Sequence, residues 1–336
     1  MNFEVRSYEP VSLFVPPFYY LRSRQTLTMI EVKDLRKTYG DNPALKGISF
    51  SIKDGEFYGL LGPNGAGKTT TISIISTIVG ADSGSVTIDG MDLASNSIAC
   101  KKIIGVVPQE IALYDKLTAQ QNLEFWGSLY NVEKSLLAKR IDETLELLGL
   151  ADRRNDKVKD YSGGMKRRIN IASALLHEPK ILFMDEPTVG IDPQSRNLIF
   201  EVVENLHKKG MTIVYTTHYM EEAERFCDRI GIIDKGEIIT QGTLNELREF
   251  SKMKESIVIK LNQNGTSNEE KVNGKFKGDY VIHGNDLIVS TDNIKGDLPK
   301  VVIQCGELGL DINSIDIQKV NLETIFLKLT GKQLRD

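Results

Sequence analysis

Nowhere in the 336 residues is there an unbroken apolar run of the roughly 18 to 20 residues that a helix needs to cross a bilayer. The chain is therefore not expected to form a pore by itself. Cysteine is scarce. Cys100, Cys227 and Cys305 are odd in number, far apart and outside any CxxC or Cys/His spacing, so reduced cytosolic thiols are the expectation. Neither sign of charge dominates, and a formal net charge of −4 argues against a whole-chain electrostatic footprint for nucleic acid. With 40% hydrophobic and 26% charged residues, the chain also lacks the bias of disorder or of collagen-like repeats. Its length exceeds that of one compact α/β domain, which implies a domain with an appendage.

A signal peptide is not expected either. The most apolar part of the N-terminus, residues 11–21, is broken by Pro16 and Pro17 and ends at Arg22 without a small-residue cleavage site. Phe14, Phe18, Tyr19 and Tyr20 offer a membrane-surface contact. The blander alternative is a disordered or non-native extension ahead of a domain that begins at Met29, and residues 1–28 are set aside on that reading.

From Met29 the pattern is that of an α/β domain with an antiparallel flank. Residues 30–39 and 44–52 read as strands, and Asp54-Gly55 and Asp89-Gly90 as turns between strands. Residues 57–61, 181–184 and 212–215 are continuously rather than alternately apolar, the mark of parallel strands covered by helices on both faces. Between 117 and 150, Leu123, Trp126, Leu129 and Tyr130, then Leu137, Ile141, Leu145 and Leu148, recur at helical spacing, with Gly149 near the end. This reads as an inserted helical lobe. The composition changes again near Phe250. Beyond it, strands are expected at 256–261, 279–282, 287–290 and 312–317, and helices at 298–308 and 322–329. The main domain is thus placed at 29–250 and a small α+β accessory domain at 251–336.

Gly62-Pro63-Asn64-Gly65-Ala66-Gly67-Lys68-Thr69 matches the P-loop pattern GxxxxGK[ST] and follows a buried strand. The glycines let successive backbone N–H groups point at phosphate oxygens, Lys68 adds charge near the β and γ phosphates, and the Thr69 hydroxyl can ligate Mg2+. The apolar strand 181–184 ends in Asp185 and Glu186. Asp185 suits an Mg2+ ion held through water, and Glu186 suits the general base that polarises an attacking water. Thr216-Thr217-His218 ends the next strand and puts His218 within reach of a γ-phosphate.

The distinguishing segment is Tyr161-Ser162-Gly163-Gly164-Met165-Lys166-Arg167-Arg168. There the chain resembles the nucleotide-binding subunit of ATP-binding cassette (ABC) transporters, whose LSGGQ signature opens a helix and contacts the γ-phosphate held by the opposite subunit. A serine hydroxyl and two glycine amides at a helix N-terminus are intrinsically anion-binding. The resemblance covers about residues 30 to 245. It implies an α/β P-loop NTPase of the ABC type, with a parallel core sheet, an antiparallel β flank and a helical subdomain. It also implies ATP and Mg2+ as ligands, Tyr39 as the adenine-stacking aromatic, and Thr70 beside the P-loop in the ATP site. Gln109, after the strand 105–107, is implied as a catalytic and Mg2+-binding residue. Ser162, Gly163 and Gly164 would complete the ATP site from the other copy of a head-to-tail homodimer, and Asp192 is implied as a further ATP-binding residue. The power would go to a separate integral-membrane permease, with this chain cytoplasmic and peripheral on the inner face of the membrane.

Tyr161 and Met165 replace the usual Leu and Gln, and residues 189–191 read Val-Gly-Ile where many members have Ser-Ala-Leu. Residues 161–168, the 189–193 loop and the ending 322–331 look like the drug-resistance, polysaccharide and sodium-export branch, similar in detail to its daunorubicin-resistance type. Lys166, Arg167 and Arg168 read as the solvated face of the signature helix rather than a nucleic-acid patch. A soluble cassette ATPase acting on ribosomes resembles two tandem cassettes, and here there is one P-loop. A DNA-repair ATPase would carry a long coiled coil between P-loop and signature, and no sustained heptads lie between Lys68 and Ser162.

Overall fold

The computed structural model describes residues 27–262 and 268–330. The proposed N-terminal extension lies outside the described residues except for Leu27 and Thr28, and so does Gly331. Thr28 is not part of a loose leader: it opens the first strand, and the Leu27 carbonyl accepts the Asp54 N–H at 2.9 Å.

β1 (Thr28–Tyr39) and β2 (Asn42–Lys53) pair antiparallel, and β4 (Ser83–Ile88) and β5 (Met91–Asp92) extend them in the order β2-β1-β4-β5. Asp89 (φ 49°) and Gly90 (φ 77°) form the turn joining β4 to β5, the left-handed pair that such a hairpin requires. The second sheet holds β3 (Phe57–Leu61), β6 (Ile104–Val107), β7 (Ile181–Asp185), β8 (Thr212–Thr217), β9 (Arg229–Asp234) and β10 (Glu237–Gly242), in the order β10-β9-β3-β8-β7-β6. All but β10 run parallel. Every residue of β3, β7 and β8 is buried, as continuous apolar runs require. The expected parallel core, antiparallel flank and helical subdomain are the architecture observed.

Helices α1 (Lys68–Ile75), α6 (Pro193–Lys208) and α7 (Met220–Phe226) follow β3, β7 and β8, while α2 (Ser97–Lys102) precedes β6. Leu61 pairs with Thr217 and Asp185 with Thr216, so the carboxyl ends of β3, β7 and β8 lie level. Loops leaving level strand ends converge, which is where open α/β sheets bind ligands.

The helical lobe consists of α3 (Ala119–Leu129), α4 (Lys134–Leu147) and α5 (Gly163–Leu175). Thr118 and Gln121 form a capping box that starts α3. Leu123, Leu137, Ile141, Leu145 and Leu148 form its core with Ile169 of α5, each burial contributing about 1.5–3 kcal/mol. Leu129 and Tyr130, expected in the same stripe, are exposed because α3 ends there, and Tyr130 stacks instead on His177 at 3.7 Å between ring centroids.

After α8 (Leu244–Ser251), strands β11 (Glu255–Leu261), β12 (Asp279–His283), β13 (Asp286–Thr291) and β14 (Ile312–Gln318) form an antiparallel sheet in the order β12-β13-β11-β14. With α9 (Asn268–Val272) and α10 (Ile294–Glu307), this sheet encloses a separate core around Ile257, Ile259, Leu287, Val289, Val301 and Cys305. Helix α10 starts at 294 rather than 298. The Asn293 side chain caps it by accepting the Gly296 N–H at 3.1 Å, so Pro299 falls inside the helix.

The last helix, α11 (Leu322–Thr330), leaves that core. Leu322, Ile325 and Phe326 pack against Leu61, Ala223, Ile230, Ile232 and Leu247. Lys328 Nζ donates to the Ser251 carbonyl at 2.6 Å, and the Leu322 N–H to the Glu224 carboxylate. The three cysteines are free. Among the described residues no helix is long and apolar enough to cross a membrane.

Candidate functional site

The loop 62–67 leaves β3 under a tight steric constraint. A Cβ on Gly62 would lie 2.2 Å from the Ile233 carbonyl oxygen, and one on Gly67 would lie 2.8 Å from Leu45 Cδ2. Gly67 also takes φ 111°, a conformation open to glycine. Ala66 N–H closes the loop onto the Pro63 carbonyl at 3.1 Å. Lys68, the first residue of α1, is buried; its Nζ donates to the carbonyls of Gly62 (2.7 Å) and Pro63 (3.2 Å) and lies 3.0 Å from Glu186 Oε1.

Glu186 immediately follows β7 with φ 45°, a left-handed backbone that costs a non-glycine residue about 1–3 kcal/mol. Its N–H is held by the Thr216 hydroxyl at 3.0 Å and carbonyl at 3.2 Å. The same hydroxyl donates to Asp185 Oδ1 at 2.5 Å. Glu186 Oε2 accepts from Gln109 Nε2 at 3.3 Å, and His218 Nδ1 lies 3.5 Å away. One buried carboxylate therefore gathers Lys68, Gln109 and His218, which come from three separate segments.

A cleft of about 720 Å³ opens here, with Asn64, Gly65, Gly67, Lys68, Thr69 and Thr70 on one wall and Gln109 and Glu186 on another. Asn42, Lys46 and Lys235 also line it. Sequence reasoning missed these three, which come from two hairpins that meet where the Lys46 N–H donates to the Gly236 carbonyl at 2.9 Å. Tyr39 does not line the cleft. It is 48% exposed beside Asn42, its partner across the β1–β2 turn, with Lys37 Nζ 5.5 Å from its ring centre.

Ser162, Gly163, Gly164 and Asp192 form a second group, none of which lines the cleft. Ser162 caps α5 by accepting the Met165 N–H at 3.2 Å, which leaves its hydroxyl proton free to donate. Ser162 and Gly163 are exposed. Gly164 seats α5 on α6, since a Cβ there would lie 2.0 Å from Ser195 Oγ. Asp192 caps α6 by accepting the Ser195 N–H at 2.9 Å, and that bond holds its carboxyl below the usual carboxylate range. Two helix N-termini thus sit side by side at the surface, an arrangement suited to an anion.

The solvated-face reading of 166–168 is corrected. Arg167 and Arg168 are buried. Arg167 donates to the carbonyls of Pro108 (2.6 Å) and Gln109, and Arg168 to that of Leu148 (2.7 Å). Burial pulls both guanidinium pKa values down, a cost offset by charge-assisted bonds to carbonyls. Arg167 thereby fixes the segment carrying Gln109, and a KRR triplet gives no sequence signal of it. Lys166 pairs with Asp115 at 3.0 Å.

For Mg2+, the donor chemistry fits. The exposed Thr69 hydroxyl, the Gln109 side-chain oxygen and the Asp185 carboxylate are hard oxygen ligands that suit an ion shared with phosphate and water.

The family profile described as ABC transporter matches residues 45–189. The linearmycin resistance ATP-binding protein of Bacillus subtilis is 47% identical over 317 residues, covering 92% of this chain and 100% of that protein. The daunorubicin resistance ATP-binding protein of Streptomyces coeruleorubidus is 36% identical over 310 residues, covering 92% of this chain and 98% of that protein. A solved ATP-binding cassette, a dimer in a post-hydrolysis state bound to ADP and Pi, is similar at TM-score 0.59 and 31% identity, covering 64% of this chain and 98% of that one.

Proposed function

The chain belongs to the ABC transporter family as an ATP-binding, ATP-hydrolysing subunit coupled to export, and on that premise we propose how its residues divide the work. The observation that carries the proposal is the gathering of Lys68, Gln109 and His218 around the buried Glu186 carboxylate at the level ends of β3, β7 and β8.

In this reading, N–H groups of 62–70 and the Lys68 ammonium hold the β and γ phosphates, and Tyr39 stacks on adenine. Glu186 polarises the attacking water as general base, while Gln109 and His218 orient that water and the γ-phosphate. Mg2+, held by Thr69 and Gln109 and through water by Asp185, would neutralise charge on the phosphates. Ser162, Gly163, Gly164 and Asp192 act on the nucleotide of the other copy. Two chains in head-to-tail register thus enclose two ATP. The separation of the second group from the cleft of its own chain supports this arrangement.

The physiological partner is a separate integral-membrane permease, which holds this chain on the cytoplasmic face. The catalytic chemistry falls within 29–250, and 251–336 serves as an accessory unit whose final helix braces α7 and α8. Similarity over 92% of this chain to the linearmycin and daunorubicin resistance proteins supports the drug-export branch. If a neighbouring gene encodes a multi-span membrane protein, the chain co-expressed with that protein should pellet with membranes and release phosphate from Mg2+·ATP. A chain that stays in the supernatant contradicts the permease assignment, and one that releases no phosphate contradicts the catalytic one.

A further inference from the structure

Glu222 lies in the first turn of α7, and only 5% of its surface is exposed. Its oxygens accept three hydroxyl hydrogen bonds: Oε1 from Thr188 at 2.7 Å, and Oε2 from Tyr215 and Thr217, each at 2.9 Å. No basic side chain forms an ion pair with it among the described residues. A buried carboxylate is expensive unless its acceptors are satisfied, and here hydroxyls alone satisfy them.

The three donors frame the catalytic cluster. Thr188 stands two residues after Glu186 in a turn closed by the Val189 N–H to the Glu186 carbonyl at 3.3 Å. Thr217 immediately precedes His218, and its hydroxyl also accepts the Tyr219 N–H at 2.9 Å. The residues on both sides of His218 are thus tied to the carboxylate that holds the turn after Glu186. On the opposite side of the same strand pair, Thr216 joins Asp185 and Glu186. Strands β7 and β8 are locked at their ends from both faces, and Glu222 is the whole of one lock.

We propose that Glu222 is a positioning residue for hydrolysis. It touches no substrate, but fixes His218 relative to Glu186. The inference rests on the site reading above, in which Glu186 and His218 act on ATP. Misplacing a group by about 1 Å can cost on the order of 10² in rate, whereas nucleotide affinity rests on the P-loop. Glu222→Ala should therefore lower kcat for ATP by about 10²-fold while KM stays within about threefold of wild type. In Glu222→Gln the amide oxygen can still accept from Tyr215 and Thr217, and its NH2 can donate to the Thr188 hydroxyl. That variant should recover most of kcat. Thr217→Val, which removes only the hydroxyl next to His218, tests the same lock if the alanine variant does not fold.

The deciding measurement is a double-mutant cycle with His218→Ala, reading kcat and KM on purified protein with the melting temperature recorded for each variant. If Glu222 acts through His218, Glu222→Ala or Thr217→Val should lower kcat no further once His218 is alanine. An equal loss in both backgrounds would overturn the inference, as would wild-type kcat in Glu222→Ala, and either result would leave the site reading intact. Wild-type kcat in His218→Ala alone would overturn both, so the two failures are distinguishable.

Discussion

Replacing Glu186 by Gln removes one charge and almost no volume from the centre of the site. Its Oε1 is the anionic partner of Lys68 Nζ at 3.0 Å, both side chains being buried, and its Oε2 meets Gln109 Nε2 at 3.3 Å. Two effects follow. In its proposed role of general base, the carboxylate is worth about 10² to 10⁴ in rate, or about 3 to 5 kcal/mol of barrier, so kcat should fall by that factor. Without nucleotide, Lys68 keeps the Gly62 and Pro63 carbonyls but loses its counter-charge, which should cost about 1–3 kcal/mol of stability. A bound triphosphate restores a counter-charge, so ATP should raise the melting temperature more in the variant than in wild type. Blocked turnover should also let the ATP-bound dimer accumulate. Phosphate release, thermal melts with and without ATP, and sedimentation read these effects separately. Turnover close to wild type would remove Glu186 from its role, and an ATP-induced shift smaller than wild type would contradict the opposition of Lys68 and Glu186 in the phosphate site.

Lys68→Ala deletes the fixed charge proposed to face the phosphates. At ATP 1,000-fold above the wild-type Kd, where linkage supplies about 4 kcal/mol, most thermal protection should vanish; equal shifts would contradict the P-loop assignment. Phe326→Ala opens a cavity where α11 meets Leu61, Ile230 and Leu247, at a cost of about 3–5 kcal/mol. A denaturant midpoint that does not fall would show that α11 does not brace that surface. His207 Nε2 lies 3.2 Å from Asp228 Oδ2, and hydrogen bonding to Asp228 raises the imidazole pKa against the opposing effect of burial. A raised folded pKa gives stability that is fully present below the ordinary imidazole value and is lost as pH rises through the folded value. Urea midpoints should therefore fall from pH 6 to 8 more steeply in wild type than in His207→Gln, and parallel profiles would refute the pairing.

What could be read from the sequence was whatever chemistry is contiguous in the chain. A phosphate cradle needs successive backbone N–H groups, so residues 62–69 declare themselves. Continuous apolar runs gave β3, β7 and β8, and with them the level at which Asp185, Glu186 and His218 end. Lys46 and Lys235 were illegible because tertiary packing of two hairpins brings them to the cleft. Arg167 and Arg168 looked like solvated charge because the carbonyls that accept them, on Pro108, Gln109 and Leu148, lie far away in the chain. Leu322, Ile325 and Phe326 of α11 recur at helical spacing in the sequence, but what they pack on was not legible, since periodicity shows which face is buried and never against what. Glu222 gave no signal: its role exists only once α7, β8 and the turn after β7 are packed together.

The central claim is that each ATP is held by the P-loop of one chain and the signature of the other. Lys68→Ala and Ser162→Arg each damage every site of their own homodimer, and mixing them separates trans from cis. In a trans arrangement the mixed dimer keeps one intact site, formed by Lys68 of the second variant and Ser162 of the first. The mixture should then retain labelled ATP at the mass of a dimer on a sizing column, where neither variant alone does. If the mixture retains no more ATP than the two homodimers, or if crosslinking places Ser162 beside the P-loop of its own chain, the head-to-tail site is wrong.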